Sequence, residues 1–297
     1  MKTLIYIFLI ASFFSMILAC GSDVSTTEET PTLHDPAGAN TKLTPEYRNM
    51  IAALKANPND HNRNGSMVNQ VAKEYLKIKS PKKALEILKT GIIFHSTSKS
   101  NNENLSLFLE TLASTEELKV DYINFVQSMQ IGSGSFTGLA EHVKNIPAGE
   151  KPVRDKIEDI RKNLTDSSTG RLDLIKVNEF VNIIELFVMA NPSNDQSPSY
   201  LKLAAEVVNS IKVYQRAIKF YDWILIKFPN SKEAPQALFM KGFTLDDGLK
   251  NKNAAKTVYE EFLKKYPKND FADDTQFLLS NITKTDEEII KQFEKKK

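Results

Sequence analysis

A chain of 297 residues, 41% hydrophobic and 26% charged, has room for one or two globular units with buried cores. Its 39 Lys and Arg stand against 37 Asp and Glu, a net charge of +2 that leaves no electrostatic footprint for nucleic acid. The single cysteine, Cys20, excludes a disulfide framework, a cysteine metal cluster and a thiol nucleophile in the body of the chain.

The first segment is MKTLIYIFLIASFFSMILAC. Lys2 supplies a charged start, and Leu4 to Leu18 run without a charge. That run is short for a membrane span of about 20 residues and fits the apolar core of a secretory signal. Ile17, Leu18 and Ala19 leading into Cys20 resemble a bacterial lipobox, with Ile at the position where Leu is usual. The resemblance implies cleavage of residues 1–19, lipidation of Cys20 and a membrane-anchored lipoprotein of the cell envelope. Gly21, in place of the aspartate that marks inner-membrane retention in enteric bacteria, points to the outer membrane. Residues 20–42 are rich in Ser, Thr, Glu and Pro and cannot bury enough surface to offset their ordering entropy. They read as a tether.

From Leu43 onward apolar residues recur at steps of three and four, and no segment alternates in twos. A region over 43–130 is followed by a Gly- and Ser-rich linker, 131–138, and a second region over 139–297. Further breaks fall at 146–152, 165–171 and 191–199. In 65–98, Val71, Ala72 and Tyr75 mark one helix and Ala84, Leu88 and Gly91 the next, with Ser80-Pro81 as the N-cap and first helical residue. Residues 103–129 read as a degraded helical pair.

Self-similarity is strongest near the end. AIKFYDWILIKFPNSKEAPQALF (217–239) aligns with AKTVYEEFLKKYPKNDFADDTQF (255–277). The matches are Ala217 with Ala255, Tyr221 with Tyr259, Ile224 with Phe262, Phe228 with Tyr266, Pro229 with Pro267, Ala234 with Ala272 and Phe239 with Phe277. A weaker copy ends at Pro192, with Phe180, Ile184 and Phe187 at the corresponding offsets. The small residue lets two helices approach, the i and i+3 residues face a neighbour, and the proline ends the helix. One hairpin cannot cover its own apolar face, so neighbours must stack.

These offsets resemble the tetratricopeptide repeat. The long period and the repeated (F/Y)P junction are similar to periplasmic tetratricopeptide proteins. Among those are the C-terminal domain of the Tol-Pal-associated cell-division coordinator and the lipoprotein of the outer-membrane β-barrel assembly machine. The stretch from about 198 to 293 also looks like small tetratricopeptide lipoproteins of Bacteroidetes-type bacteria. The interval from Gly242 to Ala255 is one residue longer than usual, and Phe180 replaces the small residue of the weak copy. The resemblance implies an all-α, tetratricopeptide-type helical-hairpin solenoid, with hairpins at 65–95, 200–228 and 236–266. A C-terminal helix over 286–294 reads as its cap. Thr285 and Glu288 would form a capping box, and Ile289, Ile290 and Phe293 would cover the last repeat.

No catalytic constellation stands out, and the chain does not read as an enzyme. His34, His61, His95 and His142 are far apart, lack metal-ligand spacing and are expected in solvent. Gly132-Ser133-Gly134-Ser135 reads as a connector and Asp246-Asp247-Gly248 as a turn rather than a cation loop. No cofactor and no metal site is expected. At helical spacing Phe220, Tyr221, Trp223 and Phe228 read mostly as core: Tyr221 and Phe228 hold packing positions, and an exposed, sugar-stacking role stays open for one of Phe220 and Trp223.

The resemblance implies recognition of an envelope protein or peptide along first-helix residues: Asn69 and Lys73, then Lys202, Glu206 and Asn209, and Met240 and Thr244. Their mixed polarity suits a polar or amphipathic peptide. The alternative is a glycan-binding lipoprotein on the same scaffold. Residues 21–60 carry no sustained heptads, so a monomer is expected.

Overall fold

The computed structural model describes residues 48–50, 52, 59–129, 150–285 and 287–288. The signal, Cys20, the tether, the linker 131–138 and Ile289, Ile290 and Phe293 lie outside the described residues. Among those described, the architecture is all-α and built of helical hairpins, without a strand. One isolated antiparallel bridge joins Thr165 to Leu172. There, Ser168 and Thr169 donate to the Asp166 carboxylate from amides and hydroxyls, which holds its pKa down to about 2 and fixes the turn expected at 165–171.

Two compact units part between Tyr200 and Leu201. The first contains α1 (His61–Lys77), α2 (Pro81–Phe94), α3 (Asn101–Ser114), a 3-10 turn (Glu116–Leu118), α4 (Lys119–Met129), α5 (Glu150–Lys162) and α6 (Leu174–Ala190). The cut falls inside α7 (Ser197–Ser210). Helices α5 and α6 pack with α4 and so belong with the N-terminal helices, although the sequence division grouped them with the C-terminal repeats.

In the first unit α1 begins where Asp60 accepts from the Arg63 amide at 3.2 Å. Val68, Val71, Ala72 and Tyr75 of α1 are buried, as are Ala84, Leu85 and Leu88 of α2. Gly91 permits the close approach of these helices. A Cβ placed there would come within 2.7 Å of Val68 Cγ1. Ser80 occupies the N-cap position of α2, but its hydroxyl makes no capping bond, which corrects the expected role. Pro81 still starts the helix without losing a needed donor.

Phe180, Ile184 and Phe187 of α6 are fully buried, and the helix stops at Ala190, two residues before Pro192. Asn191 fastens that end. Its Nδ2 donates to the Phe187 carbonyl at 3.0 Å and to the Ser128 carbonyl of α4 at 2.8 Å.

The second unit continues through α8 (Tyr214–Lys227), α9 (Ala234–Phe243), a π turn (Thr244–Gly248), α10 (Lys252–Lys265) and α11 (Ala272–Asn281). Ala217, Tyr221 and Ile224 are buried in α8, and Ala255, Tyr259 and Phe262 in α10. Pro229 and Pro267 each follow the residue that ends the helix, Phe228 and Tyr266. Leu238, Phe239, Val258, Phe262 and Ala272 form one cluster across α9, α10 and α11. After α11, the Thr285 amide donates to Glu288 at 2.9 Å, and the Glu288 amide donates to the Thr285 hydroxyl at 3.3 Å. This is the reciprocal capping box read from the sequence.

Three hairpins share a turn that the sequence alignment does not show. Lys79, Lys212 and Lys250 have φ of 55°, 64° and 52°, the left-handed region, each two residues before the second helix of its hairpin. A half-buried apolar residue precedes each: Ile78, Ile211 and Leu249. The Ser80 amide donates to the Tyr75 carbonyl and the Val213 amide to the Val208 carbonyl, both five residues back, the closure of a Schellman motif. In the third hairpin the Asn251 amide reaches the Leu245 carbonyl, six residues back. The residue added between Gly242 and Ala255 is therefore taken up by the π turn, and the left-handed lysine keeps its place.

A left-handed L-residue costs roughly 1–2 kcal/mol, and glycine loses part of that gain through its larger unfolded-state entropy. Lys212→Gly should accordingly stabilise the second unit by roughly 0.5–1 kcal/mol. Urea unfolding checks this, and a loss of stability would contradict the turn geometry.

Candidate functional site

The first helices of two consecutive hairpins, α7 and α9, lie side by side in the second unit. Lys202 Nζ donates to Glu206 Oε1 at 2.8 Å, one turn along α7. Gln236 Nε2 of α9 reaches the same oxygen at 3.5 Å. The Lys202 and Glu206 side chains remain 27% and 37% exposed, so the pair is accessible and only weakly stabilising.

Beneath it the two helices are joined by Thr244 Oγ1, which donates to Asn209 Oδ1 at 3.3 Å in the interior. The Tyr221 phenol sits nearby. Burial pushes its pKa far up, and the Glu206 carboxylate pushes in the same direction. Tyr221 therefore stays neutral and serves as packing.

The seven residues read from the sequence separate by depth. Lys73 is exposed on α1, Lys202 and Glu206 are half-exposed, and Met240 is half-buried against the Leu238 and Phe239 cluster. Asn69, Asn209 and Thr244 are buried. Asn69 Nδ2 donates to Asn104 Oδ1 at 3.1 Å, and Asn104 Nδ2 donates to the Gly65 carbonyl at 3.0 Å. Their polar atoms are spent on interior partners from a neighbouring helix, so they position the helices rather than face a ligand.

Phe220 and Trp223 are 2% and 5% exposed, with the Arg216 guanidinium 5.9 Å over the Phe220 ring. Burial bears out the core reading of the cluster and closes the stacking role left open for one of them. Asp246 and Asp247 lie in the π turn. The Tyr259 hydroxyl donates to Asp246 at 3.5 Å, and Lys250 pairs with Asp247 at 3.0 Å. Burial raises the Asp246 pKa above the usual carboxylate range, with the Lys252 charge opposing it.

The histidines give a further correction. His61 and His95 are not separate solvated side chains. Their Nδ1 atoms lie 3.1 Å apart, and His95 is buried. Only the hairpin register brings together residues 34 apart, which single-helix spacing does not reveal.

A family model of the tetratricopeptide repeat matches residues 236–269, which run from the first turn of α9 through the π turn and α10. A search of curated proteins finds no match. Repeats of this construction act as protein-recognition scaffolds rather than reaction centres. The chain carries a tetratricopeptide repeat at 236–269, set among helical hairpins of like design.

Proposed function

We propose that the protein is a lipid-anchored adaptor of the cell envelope that holds a protein or peptide partner against the first helices of its C-terminal hairpins. The carrying observation is the half-exposed Lys202–Glu206–Gln236 group, set on two adjacent helices locked from below by Asn209 and Thr244. Such a face offers a cation, an anion and an amide on rigid elements, which suits a polar extended chain. Lys73 and Met240 would extend recognition on their own helices. The anchor rests on residues 17–20, and an outer-membrane address on Gly21. The burial of Phe220 and Trp223 counts against the glycan-binding alternative.

The anchor and the docking face are tested separately. Cys20→Ser should abolish labelling by a fatty-acid probe and release the protein from the membrane fraction. Labelling that persists would refute the anchor. Glu206→Lys should weaken partner capture from envelope extracts about tenfold, as loss of a charged contact does, while Lys256→Glu on α10 should not. Equal capture by both variants would remove the docking face.

A further inference from the structure

We infer that His61 and His95 form a two-imidazole site for a late first-row divalent cation such as zinc or nickel. His61 is the first residue of α1 and His95 the residue that ends α2. Both stand at the open end of the first hairpin, opposite its turn at Lys79. Their Nδ1 atoms are 3.1 Å apart, and the ring centroids lie 5.4 Å apart with planes inclined at 56°. Two nitrogens bound to one tetrahedral zinc at about 2.0–2.1 Å are separated by about 3.3 Å. The rings therefore need to part by only a few tenths of an ångström.

Without a cation, this contact requires one ring to donate its Nδ1 proton to the other. On binding, the donating ring changes tautomer and carries its proton at Nε2, so both Nδ1 lone pairs face the ion. Neutral imidazole is a favoured ligand of zinc, copper and nickel. His95 is buried and presents its nitrogen from a fixed position, whereas His61 is exposed and gives the ion a way in.

Asp60 precedes His61 but already accepts from the Arg63 amide. Among the described residues no group of three or more His, Cys, Asp or Glu comes together, so the site is built on two imidazoles with positions left for water. The affinity is accordingly modest. Its structural consequence is specific: the ion clips together two points 34 residues apart and holds the hairpin closed.

Titration calorimetry of the full chain in detergent with zinc chloride, and separately with nickel chloride, tests this. One equivalent should bind the wild-type protein. His61→Ala, at an exposed position where folding is safe, should weaken binding about tenfold or more, and His142→Ala should leave it unchanged. Hydrogen exchange over 61–95 should slow with either ion in the wild type and not in His61→Ala. Equal affinity of wild type and His61→Ala overturns the site. So does an absence of binding by the wild type at millimolar ion, or binding that leaves exchange over 61–95 unaltered.

Discussion

Phe262→Ala should destabilise the C-terminal unit by about 3–5 kcal/mol, the cost of removing a large aromatic side chain from a closed interior. Phe262 is fully buried in α10. Its ring lies 6.1 Å from that of Phe239 on α9, edge-on at 67°, and 5.6 Å from that of Tyr266. Phe239 in turn stacks on Phe271, at 4.7 Å and 16°. Removal of Phe262 therefore opens the junction at which α9, α10 and α11 meet. Two compact units can melt separately, so one melting temperature is a poor readout. Hydrogen exchange of 234–282 reports the loss directly. A change below about 1 kcal/mol would mean that this junction is not the core of the repeat.

Ala255→Leu should cost about 1–3 kcal/mol by overpacking. Ala255 is fully buried and shares a cluster with Tyr259 and Ile282, against which Leu245, Leu278 and Leu279 pack. The contact between α9 and α10 has no slack either. A Cβ added at Gly242 would lie 2.6 Å from Tyr259 Cε1 and 3.3 Å from Val258 Cγ1. Extra methyl groups at 255 therefore have to displace Tyr259 or lift α11. Ala255→Ser, close in volume, should cost less than the leucine. If leucine is accepted without loss, the small residue shared by Ala217 and Ala255 has no packing role.

The hairpins were legible because helical periodicity places their apolar residues on one side. Ala217, Tyr221 and Ile224, and Ala255, Tyr259 and Phe262, are all buried where the repeat places them. Depth was not legible on the polar side. Asn69 and Asn209 lie on first helices as read, and Thr244 opens the π turn that follows one, but their partners come from other helices, and a single helix pattern holds no record of them.

Phe220 and Trp223 are core, as helical spacing mainly indicates, and the open alternative for one of them has a related origin. The repeat marks one stripe of α8, whereas burial extends over a second stripe beside it. The left-handed lysines gave no signal, since glycine is the residue that announces such a turn. The longer interval before Ala255 was visible as a count, and the π turn is its physical form.

Photo-crosslinking in intact cells tests the docking face most directly. A benzophenone side chain is placed in turn at Lys202, Glu206 and Gln236, and for comparison at Lys256 and Thr257 on the exposed side of α10. The first three positions should join the protein to the same discrete partner, and the α10 positions should not. Adducts from α10 with none from the α7 and α9 positions would contradict the docking face.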